Sequence, residues 1–266
     1  MENKKKTAYV CQKIHENLQI NGDLTKDVWV NAEKSPRFID MIGGTPGLYG
    51  TQAAVLWSQD YLYVGFWCED PYPVATITQR DAYLWQESDI EVFIDGGDSY
   101  YEFQMNALGT LYEVLYLWQD AYLKSPELQA RFDLKNPNMR VFGGNHDRQG
   151  LAFWKGTHPR GNRYAFLDWD MEGVQVATRI DGVLNDKTVV SKGWTAEIAI
   201  PWKSMQILSN GRSLPPQNGD LWKLFFGRFQ NLDIGGKVVG AGWSWDIIGT
   251  DDNHYPELFT QVCFQD

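Results

Sequence analysis

No run of apolar residues approaches the ~18–20 that a helix needs to cross a bilayer, so nothing in the chain reads as a membrane helix. Cysteine is scarce. Cys11, Cys68 and Cys263 are odd in number and widely scattered, and they spell neither a disulfide framework nor a metal-binding pattern. His15, His146, His158 and His254 show no zinc-type spacing. Basic charge is in deficit too: 24 Lys and Arg stand against 34 Asp and Glu, a formal charge of −10. Nucleic-acid affinity is built on Lys and Arg contacts to phosphate, and anionic lipid attracts the same residues, so neither partner is expected. The chain also lacks a Gly-x-Ser-x-Gly elbow and a Walker-type phosphate loop, which removes common signatures of acyl transfer and nucleotide hydrolysis. The start MENKKKTAYVCQKI is basic but leads into no apolar stretch or small-residue cleavage site. It predicts a cytoplasmic chain, or a secreted one if a signal peptide has already been removed.

What the chain has in plenty is aromatic. Its 266 residues include 12 Trp, 13 Tyr and 13 Phe, more Trp than a core readily absorbs, which points to a stacking surface. Apolar and polar residues alternate with period two, the strand signature, over Ala53–Trp57, Tyr61–Glu69, Asp89–Asp95, Tyr100–Asn106 and Thr110–Trp118. The same pattern continues over Val174–Asp181, Trp194–Ile200, Leu221–Gln230, Lys237–Trp243 and Leu258–Phe264. Pro201-Trp202-Lys203-Ser204-Met205 suits the first turn of one short helix. Gln119–Gly173 has no clear period; its Phe132, Phe142, Phe153, Trp154 and Trp169 predict an ordered but irregular insertion. So many short strands, with Gly, Asn and Asp at the breaks, predict an all-β fold: an antiparallel, jelly-roll-like β-sandwich. One domain over 1–266, interrupted at about 119–173, accommodates the length.

The stretch WQESDIEVFIDGGDSYYEFQM (Trp85–Met105) predicts a hairpin with an unusual face. Residues two apart share a side of a strand, so Asp89, Glu91, Phe93 and Asp95 point one way and Ile90, Val92 and Ile94 the other. A four-residue loop at Gly96–Ser99 sets Glu91 opposite Gln104 and Asp89 opposite Asn106. A patch of carboxylates and amides results, with Trp85 in the loop just before it. Such a patch either meets water or lines a site. Pyranose rings pack C–H faces on indoles, and their hydroxyls seek Asp, Glu, Asn, Gln and Arg.

The ordered set W…SDIEVFID…YYEFQMNALGT, DWDMEGVQVATRIDGVLN, KGWTAEIAIPWKSM, PPQNGDLWKLFFGRFQ and GWSWDIIGTDDNHYPELF, after the opening LQINGDLTKDVWVNA, resembles the family 9 carbohydrate-binding modules. The resemblance runs from about Leu18 to Phe264. It implies a β-sandwich that binds a soluble mono- or oligosaccharide without cleaving it. It further implies a clamp of two tryptophans, Trp85 and either Trp243 or Trp245, with Glu91, Asp70, Gln104, Asn106 and Arg228 reading hydroxyls. Glu197 and Arg228 are alternatively expected to form a strand-to-strand ion pair.

Two other chemistries remain open on the sequence. Asp89, Glu91 and Glu102 satisfy the residue types of a two-carboxylate glycosidase. Met105 and His254 are ligand types for a haem-binding sandwich. No cofactor is firmly indicated, but family members can carry structural Ca²⁺, and hard oxygen donors occur at Asp95 and Asp98 and at Asp251, Asp252 and Asn253.

Overall fold

The computed structural model describes residues 8–142 and 158–266. Its strands are β1 (Tyr9–Lys13), β2 (Ile39–Asp40), β3 (Thr51–Trp57), β4 (Tyr61–Glu69), β5 (Asp89–Asp95), β6 (Ser99–Met105) and β7 (Leu111–Trp118). They continue as β8 (Met139–Phe142), β9 (Arg163–Phe166), β10 (Gln175–Asp181), β11 (Gly193–Pro201), β12 (Leu221–Ile234), β13 (Lys237–Ser244) and β14 (Thr260–Gln265). Pairing runs β10-β11-β4-β3-β1-β14-β12-β5-β6-β7-β9-β8, with β13 alongside β12 and β2. All neighbours are antiparallel except β1, which lies parallel to both β3 and β14. That one strand stitches two halves together.

The halves fold onto each other as a β-sandwich. Val55, Val64, Phe66 and Ile198 from one half share a core with Ile90, Val92, Ile94 and Phe226 from the other. Phe66 and Phe226 meet across it with ring centroids 6.4 Å apart. These are the alternate positions of each strand, which is why period-two patterning found ten of the strands. The hairpin register is as expected, with Glu91 opposite Gln104 and Asp95 opposite Tyr100. Pro201 ends β11 and leads into the short turns Trp202–Ser204 and Gln206–Ser209.

The region about 119–173 is less irregular than its composition suggests. Helices Gln119–Lys124 and Pro126–Arg131 open it, the second capped by Ser125, whose Oγ accepts the Leu128 amide in the usual N-cap manner. Strands β8 and β9 then extend the sheet beyond β7. Phe132 and Phe166 pack at 4.9 Å, and Trp169 sits edge-on to Tyr101. Phe153 and Trp154, expected to help order this region, lie outside the described residues.

Both outer faces are largely covered. Leu24 and Trp29, from the segment after β1, cap Ala54, Leu56 and Tyr63. Leu84, Ile248 and Phe259 cap Phe93, Tyr100 and Tyr112 on the other half. Under the first cap, Glu197 is fully buried. Its Oε1 accepts from Lys26 Nζ and from Trp29 Nε1 at 2.8 Å; its Oε2 accepts the Asn21 and Gly22 amides at 2.9 and 3.1 Å. The expected Glu197–Arg228 pair is therefore corrected: Glu197 points outward to the N-terminal segment, and Arg228 points inward. Glu197→Gln keeps the shape but leaves one pair of donors facing an amide NH₂. It is expected to destabilise by ~2 kcal/mol in urea unfolding, the scale of a buried donor left unmatched; a loss below ~0.5 kcal/mol would show the carboxylate is not the anchor.

Candidate functional site

The residues expected to form one site are divided by the β12–β5–β6 sheet. Directly opposed residues on paired strands share a face. Arg228 opposes Ile90 and Trp243, so both lie on the sandwich interior with Ile90. Glu91 and Gln104 oppose each other on the other face.

The second arm of the expected tryptophan clamp is corrected by this arrangement. Trp243 and Trp245 are only 3% and 7% exposed. Trp245 packs edge-on to Tyr9 at 4.8 Å and tilted on Phe226 at 5.0 Å. Trp243 lies under Gly47, where a β-carbon would stand 2.5 Å from the indole. Neither ring has a face to offer a ligand. Trp85, in contrast, is 57% exposed on the 3-10 turn Leu84–Gln86, and its ring leans on Tyr83 at 5.7 Å. Asn106 is committed to the fold: its Nδ2 donates to Ile77 O at 2.8 Å and to Glu87 Oε1 at 2.6 Å.

The carboxylate–amide face is neither solvated nor open. Gln104 Nε2 donates to Glu91 Oε1 at 2.9 Å and to Glu102 Oε1 at 2.6 Å. Asn253 Nδ2 donates to the other oxygen of Glu91, and Tyr116 OH donates to Glu102 Oε2 at 2.6 Å. Asp89 is 1% exposed, and neither of its oxygens has a hydrogen-bond partner of adequate geometry; the nearby Phe229 amide only partly offsets its burial. Burial, and then mutual repulsion, push Asp89 and Glu91 well above the usual carboxylate range. Burial raises Glu102 to about 7 against the pull of its Tyr116 and Gln104 donors. His254 packs on this same face against Phe93 and Tyr116, whereas Met105 lies in the inter-sheet core. The sheet separates them, so they cannot jointly hold a haem.

An open cleft exists elsewhere, at the rim where the two halves part. It measures about 540 Å³ and is lined by Tyr49, Tyr72, Glu87 and Ser88 together with the Gln230–Ile234 end of β12. Asp70 and Gln230 form its base, 2% and 5% exposed. Arg228 holds both: Nη2 donates to Asp70 Oδ2 at 3.0 Å and to Gln230 Oε1 at 2.7 Å. Its Nη1 donates to Glu69 O at 2.6 Å and Thr51 Oγ1 at 3.2 Å. Asp70 Oδ1 accepts the Tyr72 amide and keeps a lone pair for another donor, and Gln230 keeps an amide hydrogen. Asp70 and Arg228, both expected among the site residues, meet here as an ion pair at 3.0 Å, and the sequence reading does not include Tyr49 and Tyr72. Their signal is weak, because each sits in a Gly- or Pro-rich loop with no period.

A larger recess of about 880 Å³ lies on the outer face of the β3–β4–β11 half. Its chemistry is spent internally. Lys34 Nζ sits 3.9 Å over the Trp67 ring, and Arg37, Arg179 and Lys192 pair with Glu69, Asp23 and Asp181 at 3.6, 3.1 and 3.2 Å.

The expected calcium donors do not fit a cation cage. Asp95 Oδ1 accepts the Gly97 amide, Asp98 pairs with Arg160 at 2.8 Å, and Asp252 pairs with Arg163 and accepts the His254 amide. Among the described residues no group of three His, Cys, Asp or Glu side chains is arranged around a common metal position, and no helix is long and apolar enough to cross a membrane.

Neither models of known protein families nor curated protein sequences give a match. Solved structures do. A family 9 carbohydrate-binding module from Caldicellulosiruptor kristjanssonii in complex with cellotriose matches with TM-score 0.54 at 12% identity, over 97% of this chain and 94% of that one. A structure of a family 9 module from the same organism with glucose matches with TM-score 0.52 at 12% identity, over 96% and 95% of the two chains. A protein from Bacteroides uniformis ATCC 8492, provisionally described as carbohydrate-binding, matches with TM-score 0.54 at 13% identity, over 97% and 100%. The chain thus has the fold of the family 9 carbohydrate-binding modules.

Proposed function

We propose that the protein binds a soluble saccharide, without cleaving it, in the rim cleft. The observation that carries this reading is the Asp70–Gln230 pair, fixed by Arg228 at the base of a 540 Å³ cleft that Tyr49 and Tyr72 also line. A preorganised acceptor and amide donor below aromatic walls suit a pyranose, whose hydroxyls need both and whose C–H faces need the rings. The solved neighbours with glucose and cellotriose bound support it. Affinity is expected in the micromolar to millimolar range, because one ring and few contacts must offset the entropy of association. Tyr72 is 42% exposed, so Tyr72→Ala leaves the fold intact. In calorimetric titration after a glycan-array screen, that change is expected to weaken saccharide binding about tenfold, the upper end of one aromatic contact. Unchanged affinity, or an array without a single binder, would remove the cleft from consideration.

A further inference from the structure

The cleft changes character from base to mouth. Side chains two apart on a strand share a face, so Leu232 and Ile234 continue outward on the side of β12 that carries Gln230. From Gln230 to Ile234, about 13 Å of strand, hydrogen-bonding groups give way to hydrocarbon. The pairing with β5 stops at Phe229 and that with β2 at Trp243. Beyond them, among the described residues, β12 and β13 pair only with each other, as far as Ile234 and Lys237. Gly235 and Gly236, at φ +64° and +84°, close this two-stranded ribbon with the positive φ values that a tight hairpin turn requires. Its tip leaves Ile234 62% and Val238 65% exposed, and Leu48, on the loop before β3, is 59% exposed; all three line the cleft. Strand propensity accounts for Ile and Val on a ribbon, but Leu48 lies in no strand. Aliphatic groups from separate segments that converge in water at one cleft mark a contact surface.

We infer that this aliphatic mouth receives an apolar aglycone, so that the preferred ligand is a sugar carrying an alkyl or aryl group on its anomeric oxygen rather than a bare sugar or a longer glycan. The inference rests on the reading of the cleft as a saccharide site. The sugar hydroxyls meet Asp70 and Gln230 at the base, and the glycosidic oxygen directs the aglycone along Leu232 and Ile234. A second sugar ring in that place would set hydroxyls against side chains that offer them no partner, which costs desolvation. An alkyl chain or a phenyl ring there buries apolar area, which is favourable. Lys187 and Asp233 stand 3.6 Å apart at the mouth and balance each other, so an uncharged aglycone meets no net charge.

Calorimetry with methyl β-glucoside, hexyl β-glucoside and hexanol, on wild type, Tyr72→Ala and the double variant Ile234→Thr with Val238→Thr, tests this. Threonine keeps the branched β-carbon that suits a strand, and an unchanged melting temperature is the folding control. Wild type is expected to bind hexyl glucoside about tenfold more tightly than methyl glucoside, the effect of taking part of the chain out of water, and hexanol not measurably. The double variant is expected to erase most of that gain and to leave methyl glucoside affinity within about twofold. Equal affinity for the two glucosides, a gain that survives the double variant, or hexanol bound as tightly as hexyl glucoside overturns the aglycone mouth, while methyl glucoside binding sensitive to Tyr72→Ala keeps the cleft. Methyl glucoside binding indifferent to Tyr72→Ala, or no binding by either glucoside, overturns both.

Discussion

Arg228→Ala is expected to lower stability by ~3–5 kcal/mol, the range for removing one partner of a buried ion pair, and the melting temperature by ~10 °C. The Arg228 and Asp70 side chains are 1% and 3% exposed, so the carboxylate left behind meets water only through the narrow part of it that faces the cleft. Only the Tyr72 amide and, at 3.4 Å, Gln230 Nε2 remain near it. The substitution also orphans the Glu69 carbonyl and Gln230 Oε1, which each accept from the guanidinium. Arg228→Lys is no remedy, because one ammonium cannot reproduce a planar fork that serves four acceptors on two sides. The double variant Arg228→Ala with Asp70→Ala removes the stranded charge and is expected to recover ~2 kcal/mol of the additive loss, a coupling typical of contacting residues. Thermal unfolding of Arg228→Ala within ~2 °C of wild type, less than ~1 kcal/mol at this size, would mean that the pair does not hold the cleft base.

The same ion pair shows which part of the architecture is written locally in the chain. Alternation along Asp89–Asp95 and Ser99–Met105 dictates both the hairpin register and the division of its residues between two faces, since a slip of one position would bury Asp89, Glu91 and Glu102 among Ile90 and Val92. It carries no information about what lies over each face. Glu91 is reached by Asn253, 162 residues away, and that distant loop turns a patch with the pattern of a wet surface into a buried one. Asp70 and Arg228 are 158 residues apart; their types mark them as a polar pair, and only the pairing of β12 with β5 assigns them to the interior. Trp243 and Trp245 make the same point in reverse. Aromatic abundance reads as stacking surface, but β13 sets Trp243 opposite Arg228, the Trp245 amide just beyond it donates to Phe226 O, and the core absorbs both rings. The short strands β1, β2, β8 and β9 leave no period to detect, because two to five residues hold too few alternations.

Stability is expected to fall as the pH rises from about 5 to 7.5, the opposite of the usual behaviour of paired carboxylates. Glu102 is raised to about 7 by burial, and burial raises Asp89 and Glu91 as well; Asp81, Asp95 and Glu113 shift in the same direction. Below ~pH 4 these groups are protonated in the folded and the unfolded chain alike, and burial exacts nothing for charge. Between ~4.3, where a free Glu ionises, and about 7, the unfolded chain has released its proton while the folded chain retains it. The native state then binds more protons than the unfolded state, so the free energy of unfolding declines with pH. For Glu102 alone the decline is ~3 kcal/mol, taking ~1.4 kcal/mol per pKa unit. His158, lowered chiefly by burial, pulls the other way near neutrality, but it is one group against several. Glu102→Gln stays neutral at every pH, its oxygen still accepts from Tyr116, and Gln104 Oε1, which has no partner, is an acceptor within the same array. Urea unfolding at a series of pH values is therefore expected to give a shallower slope for Glu102→Gln than for wild type, and a more stable variant above pH 7. A wild-type stability that is level or rises over that interval would show that the Asp89–Glu91–Glu102 array is ionised and solvated in the folded protein, and that the loop carrying Asn253 does not seal it.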